Sequence, residues 1–208
     1  MGNFKSVALA GLLVLTACGG DDKDEELAVD AGPQVDAMPQ NVCTLIDELY
    51  GDLGVATGTA IRQPIDEDLP DGPQYLSLEI PLNEDATPDV LHLELWEEVD
   101  GPFAGGLKPI TLTLNLDQAD LISCSACAFI AADVVPGEPT KFNMAYTGEL
   151  IIETVDTTPD TGSIKGSLTG IKFQEVSVDI MGQKPIAGGC KSVLEKVQFD
   201  FAVALPPA

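Results

Sequence analysis

The sequence has little positive charge, little histidine and few aromatic side chains. Its 208 residues include 10 lysines and arginines against 34 acidic residues, and the formal net charge is −24 at pH 7. Nucleic-acid phosphates are bound mainly by lysine and arginine, so this composition argues against a nucleic-acid partner. It also argues against a surface that lies directly on an anionic membrane face. It favours cations and basic proteins as ligands, or simple solubility.

Motifs that carry catalysis are missing as well. The one histidine, His92, excludes zinc motifs built on two histidines, and any Ser-His-Asp unit would depend on it. There is no GxSxG elbow, P-loop or GxGxxG pattern, and the carboxylates are too numerous to single out a glycosidase-like pair. His92 lies on the polar side of an alternating segment, which predicts a surface residue. The only tryptophan, Trp96, ends that segment, and we interpret it as a packing residue.

The first residues have the three parts of an export signal. Lys5 supplies a positive charge, residues 7–15 form a short apolar run, and Leu15-Thr16-Ala17-Cys18 follows. A membrane-spanning helix needs about 20 apolar residues, whereas residues 19–22 end this run early. The segment resembles a bacterial lipoprotein signal, in which Leu15-Thr16-Ala17-Cys18 is the lipobox.

This resemblance implies cleavage before Cys18, a diacylglyceryl thioether on its sulfur and a fatty amide on the new amino end. Several acyl chains anchor a protein more firmly than one, because each buried methylene contributes about 0.8 kcal/mol. Gly19, rather than an aspartate, follows the cysteine, which in this family favours the outer membrane. Two other interpretations stay open: an N-myristoylation pattern at Gly2 with Ser6, and an ordinary secretory signal with an unrelated Cys18.

The composition divides the rest of the chain into a tether and a domain. Residues 18–40 are rich in acidic residues, proline, glycine and alanine, and such a segment buries too little apolar surface to offset its ordering entropy. We therefore predict a signal peptide over 1–17, a lipidated, disordered acidic tether over 18–40, and a single β-rich domain over 41–208. An acidic interaction tail is the alternative for the tether. The domain, of about 165 residues, is long enough for one core.

Apolar periodicity predicts an all-β domain. Within 42–50, apolar residues recur at helical spacing between Asn41 and Gly51, which predicts one short N-terminal helix. Beyond it the period is two, and turns rich in Gly and Pro separate the segments, which favours an antiparallel β-sandwich or barrel. The polar loop 156–162 is expected to project from a hairpin as a contact surface. Strands are predicted near 75–80, 91–95, 110–116, 129–135, 142–155, 163–180 and 197–205.

The cysteines predict disulfides. Once Cys18 carries lipid, four of the five cysteines remain, and an oxidising compartment would pair them. Of the three connectivities we favour Cys124 with Cys127, and Cys43 with Cys190, whose long loop would stabilise the fold by about 4 to 5 kcal/mol. A redox site or a zinc site at the CxxC motif is the alternative. Together with Gly188-Gly189-Cys190, the motif Cys124-Ser125-Ala126-Cys127 resembles small β-rich lipoproteins that some large-genome bacteria encode in many copies, which implies no activity.

Calcium is the one candidate small ligand, and no other cofactor is predicted. Asp156 and Asp160 offer hard oxygen ligands in one loop, and residues 66–68 and 84–89 do the same in other loops. None of these segments follows the EF-hand order, and a solvated turn is the favoured interpretation of each. The sequence therefore favours a membrane-anchored extracytoplasmic lipoprotein that is a non-catalytic binding, adhesion or structural module. The alternative is an envelope enzyme, either a hydrolase with paired carboxylates or a thiol–disulfide redox protein that uses Cys124 and Cys127.

Overall fold

The domain is built from strands. A computed structural model of the chain describes residues 46–66, 68, 72–84, 86–97, 100–115, 124–132, 141–179 and 182–206. These residues belong to one compact unit, Val42–Ala208, and contain no helix, so none of them forms a helix that could span a membrane. The strands of the described residues are β1 (Ile46–Pro64), β2 (Gln74–Pro81), β3 (Val90–Trp96), β4 (Ile110–Leu114), β5 (Ala126–Ala132), β6 (Lys141–Val155), β7 (Ser163–Asp179), β8 (Gly182–Pro185) and β9 (Lys191–Ala204).

Seven of these strands close into a barrel. Neighbours follow the order β1-β2-β3-β5-β6-β7-β9, and β9 then pairs with β1; β4 adds to β6 and β8 adds to β7 outside this ring. Each step around the ring reverses the strand direction, so with an odd number of strands the last must run parallel to the first. The β1–β9 pair is indeed parallel. The all-β prediction is confirmed and the architecture is a barrel, whose strand pairs in the described residues are antiparallel except at this seam.

The barrel interior is filled by the protein's own apolar side chains. Burial alternates along β2 and β3, so that every second residue faces inward, as the period of a strand requires. Phenylalanines 103, 173, 199 and 201 are almost fully buried in the same core cluster. Each such side chain contributes about 1.5 to 3 kcal/mol through burial. All seven barrel strands contribute residues to this cluster, among them Tyr50, Leu78, Leu93, Ile130, Leu150, Leu168 and Val197.

A row of bulges bends the long strands. Glu149, Thr169, Lys196 and Asp52 are successive cross-strand partners on β6, β7, β9 and β1. The pairing shifts beside this row, between Asp52 and Val55 and between Thr147 and Glu149. Three glycines next to the row, Gly54, Gly148 and Gly170, have positive φ angles. A bulge increases the local twist and bends a strand, so the row lets four long strands curl into a closed wall.

The predicted N-terminal helix is not confirmed. Residues 46–50 of that segment begin strand β1, whereas 42–45 lie outside the described residues. Ile46 and Tyr50 are cross-strand partners of Lys191 and Leu194 on β9. Leu49, which the helical spacing placed on a core face, is 67% exposed. Pairing with a strand from the far end of the chain therefore overrides the local apolar spacing.

Candidate functional site

The barrel wall is open along one edge of β1. β1 pairs with β2 only from Ile61 to Pro64, although its pairing with β9 extends along its length back to Ile46. Residues 49–59, here called the β1 edge, therefore have β9 on one side and no described strand on the other. A strand in this position presents unpaired backbone N–H and C=O groups, which makes it a template for pairing with another chain.

Apolar side chains are exposed on the β1 edge. Leu49 is 67% exposed, Leu53 36% and Val55 59%. Gly54, at a φ of 70°, lies in the bulge between Leu53 and Val55, and its N–H donates a hydrogen bond to the Asp52 carboxylate at 2.9 Å. Soluble proteins usually protect exposed strand edges with charge or cover, so a long edge with several exposed apolar residues indicates a binding surface.

Tyr50 closes the interior beneath this edge. Its side chain is 7% exposed, and its hydroxyl donates to the Asp89 carboxylate at 2.9 Å and also contacts Glu48. The Asp89 carboxylate accepts a second bond, from the Asn83 side chain at 2.9 Å. Burial and the two carboxylates raise the pKa of Tyr50 well above its usual value. The hydrogen bond from Tyr50 to Asp89 thus joins β1 to the β2–β3 connection, at a level where β1 and β2 do not pair.

An aromatic strip lies on the outer face of the wall. Tyr75 on β2 stacks on Trp96 on β3, with ring centroids 4.3 Å apart. His92 stacks on Phe129 of β5 at 4.8 Å, and Phe129 meets Phe142 of β6 at 6.4 Å. Cross-strand aromatic pairs of this kind stabilise neighbouring strands. Trp96 therefore packs, as expected from the sequence, but on the outer face of the barrel.

The strip also holds two titratable groups. His92 faces outward as predicted, yet its side chain is only 21% exposed, because it lies against Phe129. Burial lowers the pKa of His92, and the nearby Glu79 carboxylate, at 3.7 Å, partly opposes this. Burial raises the pKa of Glu94, which accepts a hydrogen bond from the Trp96 indole at 3.2 Å. Within the aromatic strip, no pair of carboxylates lies beside His92 or Glu94.

The structure contains a disulfide between Cys124 and Cys127, the short-range pair favoured from the sequence. Their Cα atoms are 5.5 Å apart, and both residues are buried, at 3% and 0% exposure. Cys190 is also disulfide-bonded. Cys43, the partner predicted for it, lies outside the described residues, as does Cys18 with the rest of the predicted signal and tether. The Cys43–Cys190 pairing therefore stays a prediction.

Asp156 and Asp160, two of the calcium candidates, lie in a compact turn. Asp156 accepts hydrogen bonds from the amide and the hydroxyl of Thr158, at 2.9 and 2.7 Å, and these bonds lower its pKa. The Asp160 amide donates to Val203 at 2.8 Å, and the Val203 amide donates to Gly162. Loop 156–162 is thus tied to the end of β9. Among the residues that the structure describes, no group of three or more potential ligands is arranged for a metal ion.

Searches of protein-family models, curated proteins and solved structures find no match to this chain. Its function is therefore inferred from its own residues and their arrangement.

The β1 edge was not predicted from the sequence. Leu53 and Val55 alternate with polar or small residues, which indicates a strand. The segment just before them, 42–50, has apolar residues at helical spacing and was therefore predicted to be a helix. The neighbouring sequence does not predict that these side chains are exposed, because their exposure depends on the point at which β2 separates from β1.

Proposed function

We propose that this chain is an exported bacterial lipoprotein whose barrel is a non-catalytic binding module, held at the outer membrane by lipid on Cys18 and an acidic tether over 18–40. The observation that carries the binding role is the β1 edge, where backbone groups and apolar side chains face solvent together. The filled interior supports the same conclusion, since its packed apolar core occupies the space in which wider barrels hold a ligand. Binding would then use the outside of the wall.

The cysteines support the lipid anchor. Of five cysteines, Cys124 and Cys127 are bonded to each other and Cys190 is disulfide-bonded. Only Cys43 and Cys18 remain as partners for Cys190. Ile46 pairs with Lys191, so the parallel seam brings the chain just after Cys43 beside the residue that follows Cys190. A Cys43–Cys190 disulfide leaves Cys18 as the one thiol available for lipid.

A redox function has less support. A thiol–disulfide enzyme needs a thiolate that its partner protein can reach. Both Cys124 and Cys127 are buried, which favours a structural disulfide. A hydrolase would need paired carboxylates with separated pKa values. Glu94 has a raised pKa, but its hydrogen-bond partner is the Trp96 indole.

The anchor is tested by expressing the complete chain in bacteria supplied with labelled palmitate, followed by intact mass analysis of the membrane fraction. We expect the label on the wild type and on Cys43→Ser, and none on Cys18→Ser, which should leave the membrane fraction. Cys43→Ser is the matched control, because it removes a cysteine near the tether without touching the lipobox. Label retained by Cys18→Ser, or absent from the wild type, would contradict the proposal.

A further inference from the structure

We infer that the β1 edge binds an extended, cationic segment of a partner protein, which adds to β1 as a further strand. The inference rests on the proposed binding function and names the chemistry of its ligand. It depends on three properties of the edge: its length, its apolar side chains and the charge around it.

The edge is long enough to hold a strand. A strand rises about 3.3 Å per residue, so residues 49–59 span at most about 35 Å, and the bulge between Asp52 and Val55 divides this length into two runs. Main-chain hydrogen bonds to such an edge supply affinity in strand addition, and contacts with alternate side chains supply specificity. Leu49, Leu53 and Val55 would provide these contacts for the apolar residues of the incoming strand.

The charge around the edge selects a cationic occupant. Glu48 and Asp52 lie on β1 itself and are exposed, and the chain as a whole carries a formal net charge of −24. Lys196 is the partner of Asp52 on β9, on the opposite side of β1 from the open edge. The charged side chains that β1 presents to an incoming strand beside its apolar residues are therefore carboxylates, which attract lysine and arginine and repel acidic segments.

The same charge disfavours the two occupants that the protein itself could supply. A second copy of the chain brings its own net charge of −24, so pairing of two β1 edges would join two strongly acidic surfaces. The tether is also unsuitable, because residues 21–26 contain five acidic residues and one lysine. A basic segment with alternating apolar residues matches both the exposed apolar side chains of the β1 edge and the acidic charge around it.

The test uses the complete, lipid-bearing protein purified in detergent and three labelled 12-residue peptides with alternating valine. The other positions carry lysine, serine or glutamate. We expect the lysine peptide to bind at least about tenfold more tightly than the serine peptide, with an affinity that falls as salt rises, and the glutamate peptide not to bind. Fluorescence anisotropy measures affinity, and amide hydrogen exchange should show protection confined to residues 49–59.

Two matched variants locate the binding site. Val55→Lys places a cation on the edge, whereas Val178→Lys makes the same change at a valine on β7 that is 50% exposed. We expect Val55→Lys to weaken lysine-peptide binding by at least about tenfold and Val178→Lys to leave it unchanged. Urea unfolding checks that both variants stay folded.

The outcomes separate this inference from the proposed function. Equal binding of the serine and lysine peptides would overturn the cationic partner but keep strand addition. Failure of every peptide, without protection of β1, would overturn the edge as a binding site altogether. Sedimentation that shows a dimer abolished by Val55→Lys would identify a second copy as the occupant and would also overturn the inference.

Discussion

Replacement of Gly58 by alanine tests whether β1 and β9 form the seam of the barrel. Gly58 is the cross-strand partner of Phe201 in the parallel pair. A methyl group at Gly58 would lie 2.7 Å from Cε1 of the Phe201 ring and 3.3 Å from Cδ1 and Cζ. Phe201 is 2% exposed, so its ring has little room to move.

The expected magnitude follows from two opposing effects. Overpacking of a buried ring costs about 1 to 3 kcal/mol, whereas alanine gains about 0.5 to 1 kcal/mol over glycine within a strand. Gly58→Ala should therefore lower the free energy of unfolding by about 1 to 2 kcal/mol. Gly51→Ala, on the same strand with nothing within 4 Å of its added methyl group, should raise it by about 0.5 kcal/mol.

A double-mutant cycle assigns the loss to the ring. Phe201→Leu removes the ring atoms that the new methyl group meets, at its own cost of about 1 to 2 kcal/mol. In that background Gly58→Ala should behave like Gly51→Ala, which gives a coupling energy of about 2 kcal/mol. Urea unfolding followed by far-ultraviolet circular dichroism measures all four proteins. An equal loss from Gly58→Ala in both backgrounds would refute the contact and, with it, this pairing of β1 with β9.

Three further predictions concern the candidate site and the seam. Tyr50→Phe should lower the free energy of unfolding by about 1 to 3 kcal/mol, because it removes a donor to the buried Asp89; an unchanged urea midpoint would contradict this. Burial lowers the pKa of His92 from its usual 6.5 in the folded protein. Below pH 6.5 the unfolded chain therefore binds a proton at His92 more readily than the folded chain does, so the free energy of unfolding falls as pH drops. His92→Gln should reduce the difference between urea midpoints at pH 7.5 and 5.5, and an unaltered difference would argue against burial of the imidazole. Cys43→Ser and Cys190→Ser should each cost about 4 kcal/mol, and unequal losses would indicate that these cysteines are not partners.

The strands of the inner wall could be predicted because their signal is local. Leu91, Leu93 and Leu95 alternate with polar residues, and the structure buries all three leucines completely. The β6–β7 hairpin was also predicted, since its two strands adjoin one polar loop and pair next to it. In both cases the residues that decide the structure lie within a few positions of one another.

Strand β1 could not be predicted in the same way. The positions of β1 that face the core side of the wall include Ala56, Gly58 and Ala60, which are too small to produce a strong apolar alternation. Large side chains from β9 cover this part of the wall, as Phe201 does at Gly58. The side chain that leaves room only for glycine at position 58, that of Phe201, thus lies near the opposite end of the chain.

By itself, the sequence determined the all-β class, the turns between most strands and the excess of acidic charge, because side-chain period, turn residues and ionisation are local properties. Only the tertiary structure decided that the wall closes as a barrel with a parallel seam. It also decided that β2 leaves β1 after Ile61, which exposes the β1 edge. Pairing between distant strands depends on the packing of the whole core and on the odd number of strands in the ring, and no local pattern records either.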